Sequence, residues 1–436
     1  MQKIAIKGVD RDIYREILPS GLDLILIPND KNTKKKNYYI NFGVYYGALN
    51  NDFIPYQQKK MRSFPAGIAH FLEHKMFEMK EADSPFNFYS ESGSYVNAYT
   101  SYHSTCYVVS GSKKLTENLK YLFKILKEPY FTKENVEKEQ GIITEEIHMR
   151  EDDPDYIVMK MLQRNLYVKS SYRIPVIGSS ESIRQINADT LYTCYQTFYR
   201  PSNMFLVVAG CIDTKEIYQL VCDELRETNF SPSPQKKVYH EPVKVGRAYE
   251  EMAFDTKVEK LAIGYKMRRS NFSIKDNVML NLYLNMLIAI NFSNTSAFSE
   301  KMRTEHLALR SNYMIQTEED IKSFIIEIDT LQSDQFIEAL EEQLHHLTAT
   351  EEDMERMKKV WISSEVIKSD YADALLDSFV DDLVIYHDIV TNYVDLIRSM
   401  NMKTMKKVME ELDFSNRSIA KLTPIKKYAK LTPIKK

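Results

Sequence analysis

The chain has 436 residues, with 58 basic and 61 acidic side chains and a formal net charge of -3. Near-balanced charge argues against nucleic acid as the main partner, because phosphate binding leaves a basic excess. With 44% hydrophobic and 27% charged residues, the composition is that of a soluble globular protein long enough for two or three domains. No membrane span is expected, since the most apolar run, Met286 to Ile290, is far too short. The N-terminus, Met1-Gln2-Lys3-Ile4-Ala5-Ile6-Lys7, lacks the apolar stretch of a secretory signal. Cys106, Cys194, Cys211 and Cys222 show no Cys-x-x-Cys spacing and read as free thiols. A cytoplasmic, reducing location is the expectation.

In chain order, Glu16 to Leu18, the turn Pro19-Ser20-Gly21 and Leu22 to Ile27 read as a hairpin. Lys31 to Lys36 reads as a basic loop, Asn37 to Tyr46 as a strand, and Pro65-Ala66-Gly67 as the start of a helix to about Lys80. Tyr95 to Ser110 reads as two strands, and Leu115 to Leu126 as a helix stopped by Pro129. Thr132 to Arg150 reads as a long charged helix with Thr132 as its cap. A helix over Ser182 to Tyr199, a strand over Met204 to Ala209 and a helix over Thr214 to Thr228 follow. The prolines of Ser231-Pro232-Ser233-Pro234 then break regular structure.

The second half alternates again: strand Leu261 to Lys266, helix Asn277 to Asn291, strand Ser323 to Asp329 and helix Ser333 to Thr348. Helices continue to about Leu412, before a last strand over Arg417 to Leu422. Strands and helices mix without a strict βαβ rhythm, which points to two α+β halves and an internal duplication. The expected division is a domain over 1–232, a linker over 233–247 and a second domain over 248–436. Ala420 to Lys427 recurs word for word as Ala429 to Lys436; this basic tail is assigned no catalytic role.

The chemistry gathers at His70-Phe71-Leu72-Glu73-His74. Histidines four apart on a helix project from one face, a spacing that suits two ligands of one tetrahedral zinc. Glu73 can lean over the metal and hold a water as general base without ligating. This is the inverted order of His-Glu-x-x-His. A catalytic zinc wants a third protein ligand and an open position. The helix from Thr132 offers Glu134, Glu137, Glu139, Glu145 and Glu146. Glu139 and Glu146, seven apart, share a face, so one could ligate while the other orients a ligating histidine. The competing reading is a histidine pair satisfied on an amphipathic helix, with a solvated glutamate-rich helix beside it.

Taken together, these residues resemble the pitrilysin/insulysin family of zinc peptidases, especially its branch of mitochondrial-processing-peptidase-like proteins from Gram-positive bacteria. The resemblance runs through Leu18 to Leu22, Gly67 to Phe77, Asn97-Ala98-Tyr99-Thr100-Ser101, Val136 to Glu146, and Tyr199 to Met204 with Val207 to Gly210. It implies a zinc endopeptidase of peptides or precursor leader segments, in which Glu73 activates a zinc-bound water. His70, His74 and Glu146 match the metal ligands, and Glu139 matches the carboxylate behind them. Asn97 and Ala98, with Tyr99, match a strand edge that pairs with extended substrate.

The resemblance further implies two α/β-roll halves, each an antiparallel sheet flanked by helices. It also implies a homologous partner subunit or a second copy of the chain. The alternative it allows is a non-catalytic, substrate-presenting subunit of a heterodimer. In the second half the family places an Arg and a Tyr that hold substrate. Arg303 sits at the matching place, but Arg310 stands seven residues on, and the nearest tyrosine is Tyr313.

Overall fold

The computed structural model describes residues 1–29, 33–80, 84–318 and 320–425; part of the basic loop and the second copy of the repeated tail lie outside them. In chain order the elements begin β1 (Gln2–Ile6), β2 (Arg11–Ile17), β3 (Asp23–Pro28), β4 (Tyr38–Val44), β5 (Asp52–Phe53) and β6 (Arg62–Ser63). There follow α1 (Ile68–Met76), α2 (Pro85–Glu91), β7 (Tyr95–Thr100), β8 (Thr105–Gly111), α3 (Leu115–Lys127), α4 (Lys133–Glu151) and α5 (Pro154–Leu166). Next come α6 (Ser180–Ile183), α7 (Ala188–Phe198), β9 (Met204–Gly210), α8 (Thr214–Glu224), β10 (Tyr249–Phe254), β11 (Glu259–Arg268), α9 (Asn277–Phe292) and α10 (Ala297–Thr304). The last are β12 (Arg310–Glu318), β13 (Ile321–Thr330), α11 (Ser333–His345), α12 (Glu351–Ser369), α13 (Ala372–Tyr386), α14 (Tyr393–Ser399), α15 (Met402–Glu410) and β14 (Arg417–Pro424).

Two large sheets result, ordered β1-β2-β3-β9-β4-β8-β7 and β10-β14-β11-β13-β12, beside the two-stranded pair β5-β6. The last five strands of the first match the second strand for strand and in direction. Each core has one parallel pair, β3 with β9 and β10 with β14, and is antiparallel elsewhere. The internal duplication expected from element order is therefore visible in topology. The expected antiparallel sheets flanked by helices are present, with one parallel pair in each.

Each sheet belongs to a compact unit, and neither unit is continuous in sequence. The first comprises Met1–Ile147, Pro175–Val238 and Ser363–Asp395; the second comprises His148–Ile174, Tyr239–Ile362 and Leu396–Lys436. The reason is hydrophobic. In the first unit, Leu375, Leu376, Phe379 and Leu383 of α13 cover the sheet face made by Ile25, Ile27, Phe205 and Val207. In the second, Ile157, Val158, Met161 and Leu162 of α5 cover Ala262, Ile325, Ala420 and Leu422. A division at 233–247 alone thus leaves two helices on the wrong side of the line.

The proline-broken segment is irregular but not slack. Gln235 and Lys236 pair with the strand around Phe53 and Ile54 in the first unit. In the second, Glu241 accepts from the Val168, Lys169 and Ser170 amides and from the buried Lys266 ammonium.

Where local signals compete, the boundaries move. The helix expected over Ser182 to Tyr199 is broken into α6 and α7, because Asn187 caps α7 in a reciprocal pair of bonds with Thr190. The first copy of the repeated tail is no appendage: Ala420 and Leu422 are fully buried on β14, an interior strand of the second sheet.

Candidate metal centre

Helix α1 begins at Gly67, whose φ of 87° lies in the left-handed region. A Cβ there would also stand 2.5 Å from the Ile177 carbonyl oxygen, so only glycine fits. The helix ends at Met76 rather than near Lys80, as Phe77 and Glu78 bond back only three residues, to His74 and Lys75. Ile68, Phe71, Leu72 and Met76 bury the helix in the first unit's core. That burial fixes the remaining positions, His70, Glu73 and His74, toward α4.

Helix α4 starts at a reciprocal cap: Asn135 N–H donates to Thr132 Oγ1 (3.2 Å), and Thr132 N–H donates to Asn135 Oδ1 (2.9 Å). Its buried residues Val136, Ile143 and Ile147 set the face that turns Glu139 and Glu146 toward α1. Glu134, Glu137 and Glu145 are exposed, which reduces the five glutamate candidates to two.

One ligand atom each of His70, His74 and Glu146 lies within 4.8 Å of the other two. The Nε2 atoms of both imidazoles stand 3.8 Å from Glu146 Oε2. That separation is too long for hydrogen bonds. It is close to the spacing of about 3.3 Å that bonds of about 2.0 Å impose on tetrahedral neighbours. Two neutral imidazole nitrogens and one carboxylate are also the donor set a catalytic zinc takes.

Glu139 Oε1 lies 3.0 Å from His74 Nδ1. An ionised carboxylate only accepts, so Nδ1 donates to Glu139, and Nε2 is the ring nitrogen turned toward Glu146. Burial works to raise the Glu139 pKa, but the hydrogen bond and charge of His74, with Lys75, outweigh it and hold Glu139 below the usual carboxylate range. For Glu73, burial prevails over a hydrogen bond from Thr100 and the nearby His74, and its pKa rises.

Asn97, Ala98 and Tyr99 lie on β7, the edge strand of the sheet, with Asn97 and Tyr99 exposed. The Ala98 amide donates to the Asn97 side-chain carbonyl (2.9 Å), a local bond that must yield before this amide can donate to another chain. A cavity of about 620 Å³ runs past Glu73, His74, Phe77, Phe86, Asn97 and Glu139. A groove of about 660 Å³ between α3 and α8 is lined by salt-bridging side chains such as Lys127 and Glu224 and lacks such a ligand set.

Two residues of this centre escaped the sequence reading. Lys75 is fully buried; it bonds the Asn135 carbonyl (3.2 Å), pairs with Glu78, and stands 3.9 Å from Glu139 Oε2. Its signal was a lysine inside an apolar helix face. Thr100 Oγ1 donates to Glu73 Oε2 at 2.6 Å, and no periodicity announces that bond. His103 sits in the bend between β7 and β8, where burial, with the charge of Lys236, pushes its pKa down to about 4.

Arg303 and Tyr313 belong to the second unit. Arg303, exposed in the last turn of α10, donates to the Asn294 carbonyl (2.8 Å). The Tyr313 ring stacks on Phe292 (5.1 Å) within that unit's core. Arg310, where the resemblance calls for tyrosine, pairs with Asp155 (2.6 Å) and Asp329 (3.2 Å).

Residues 64–180 match the family described as Insulinase (Peptidase family M16), and residues 185–360 match the Peptidase M16 inactive domain. The zinc protease YmfH of Bacillus subtilis (strain 168) is 34% identical over 306 residues, 69% of this chain and 70% of that protein. The mitochondrial-processing peptidase subunit beta of Bos taurus is 28% identical over 158 residues, 35% of this chain and 32% of that one. Among solved structures, a putative M16-like peptidase from Alicyclobacillus acidocaldarius superposes with a TM-score of 0.88 at 27% identity, covering 97% of this chain and 100% of that chain.

Proposed function

The chain belongs to peptidase family M16, and from that premise we propose that it is a zinc-dependent endopeptidase acting on peptides or precursor leader segments. The observation that carries the reading is the convergence of His70, His74 and Glu146 within 4.8 Å, with Glu73 on the same helix as the two histidines. These three side chains would hold the ion, which supplies Lewis acidity to polarise a carbonyl and acidify water.

The chain's own groups do the rest. Peptide backbone adds to the β7 edge at Asn97, Ala98 and Tyr99, which gives affinity with little demand on sequence. Glu73 takes a proton from water as the water oxygen bonds to the scissile carbonyl carbon. The same carboxyl returns that proton to the amide nitrogen as the carbon–nitrogen bond breaks, so one water is added across one peptide bond. A raised pKa suits a group that must gain and lose a proton. Glu139 keeps His74 turned, through Nδ1, so that Nε2 serves as the ligand atom.

Edge-strand pairing requires an extended segment, so unfolded peptides are the substrate class. The relative named as a processing-peptidase subunit supports assembly with a homologous partner or a second copy. The Tyr313 ring is engaged in packing against Phe292, which speaks against a substrate role for it. The non-catalytic alternative has no degraded metal set to recommend it.

The purified chain should carry about one zinc. Glu73→Gln should keep that zinc while cleavage of an unstructured peptide falls by about 10³-fold. An unchanged cleavage rate in that variant would overturn the proposal.

A further inference from the structure

We infer that Thr100 is a positioning residue for hydrolysis, holding one oxygen of the Glu73 carboxylate so that the other is presented to water. The inference rests on Glu73 being the base.

Torsion about the last bond of a glutamate side chain is soft and broad, so a carboxylate held only by its helix samples many orientations. Thr100 removes that freedom. Its Oγ1 lies 2.6 Å from Glu73 Oε2, a short charge-assisted bond. The direction of the bond is set by its surroundings. Thr105 stands across the ladder from Thr100, with the two hydroxyl oxygens 3.3 Å apart. The Thr105 hydroxyl donates to the Tyr46 carbonyl (2.9 Å), so its proton is committed there. The Thr100 proton is left for Glu73. Threonine is stiff at its first torsion, and its place is fixed by the β7–β8 register rather than by the helix that carries the base.

Thr100 is also the last residue of the strand that offers Asn97 and Ala98 to a peptide. The same backbone therefore seats the substrate and aims the base. A substrate strand laid along β7 is in register with Glu73 without any contact between Thr100 and the substrate.

The test uses the full-length chain loaded with zinc and an unstructured reporter peptide, and compares Thr100→Val, Thr100→Ser and Glu73→Gln. Thr100→Val keeps shape and removes the hydroxyl. It should lower kcat about tenfold, the effect of one hydrogen bond to a charged group. KM should stay within about twofold, because uniform binding is untouched. Zinc content should not change, the melting temperature should fall only by the few degrees that one lost hydrogen bond costs, and Thr100→Ser should restore most of kcat. In a Glu73→Gln background Thr100→Val should add nothing. A crystal structure of the metal-free Thr100→Val protein should show the Glu73 carboxylate turned about its terminal torsion while β7 stays in place.

An unchanged kcat in Thr100→Val, a loss not restored by serine, a loss of equal size in the Glu73→Gln background, or an unmoved carboxylate overturns the inference. If the valine variant proves unstable, Thr100→Ser and Thr100→Cys decide it, since only the serine should retain most of kcat. Retained cleavage in Glu73→Gln alone would instead remove the reading on which the inference stands.

Discussion

In both units the end of a hairpin meets a helix, yet the side chains gathered there differ in kind. In the first, Thr100 and Thr105 pair across β7 and β8, and Thr100 holds Glu73 of α1. In the second, Thr317 and Lys322 pair across β12 and β13 and face α9. There the Lys322 ammonium donates to Asn277 Oδ1 (2.9 Å), Asn281 Oδ1 (2.7 Å) and Thr317 Oγ1 (2.9 Å). Asn277 and Asn281 are four apart on their helix, as His70 and His74 are on theirs. One framework gathers imidazoles and carboxylates able to share a divalent cation. The other surrounds a cation that the chain itself supplies, with neutral oxygens around it. The repeated topology thus provides a helix facing a hairpin, and a few side chains determine what that meeting place does.

The comparison breaks most visibly at the ligands. Glu146→Ala or His74→Ala should lose the bound zinc and all peptide cleavage while the fold persists, as read by metal analysis and circular dichroism. Glu139→Gln should be milder, weakening zinc by about 10- to 100-fold in a chelator competition, because it loosens a ligand without removing one.

In the second unit the effect should appear as stability. Burial, with the nearby Arg269, pushes Lys322 down to about 7. In the unfolded chain a lysine titrates near its ordinary value of about 10.4. Between those values the unfolded state binds more protons, so stability should be flat below pH 7 and rise by a few kcal/mol toward pH 10. Lys322→Met should abolish that rise in a series of urea-unfolding midpoints, leaving zinc content unchanged. A rise of equal size in the methionine variant would assign the titration elsewhere.

Smallest of all, Thr317→Val removes one of three acceptors around the lysine and should cost about 1 kcal/mol. It should leave kcat untouched, in contrast to the same substitution at Thr100.

The sequence made α1 legible because four-residue spacing on a helix is a local property, and His70, Glu73 and His74 carry it in five residues. Glu146 was harder. Spacing alone left five glutamates open, and burial of Val136, Ile143 and Ile147 is what turns two of them inward. Thr100 and Lys75 were not legible, since a hydroxyl's partner 27 residues away, or an ammonium's 60 residues away, is decided by tertiary packing. In the fold, strand and helix types were largely read from periodicity, and the duplication from element order. The parallel pairs β3–β9 and β10–β14 were not, because they join strands more than 150 residues apart. Nor could periodicity tell which sheet α5 and α13 cover: an apolar stripe states that a helix is buried, not against what.

That exchange of helices sets a timetable for synthesis. The seven-stranded sheet of the unit that holds His70, His74 and Glu146 is complete once β9 ends at Gly210, but one face waits for α13, which begins at Ala372. Burial of Leu375, Leu376, Phe379 and Leu383 is worth on the order of 10 kcal/mol, comparable to the whole stability of a domain. A nascent chain can therefore hold every ligand and the base on its first unit and still lack a folded centre. A chain ending before Ala372 should bind no zinc and cleave no peptide, as metal analysis and a peptide assay would read.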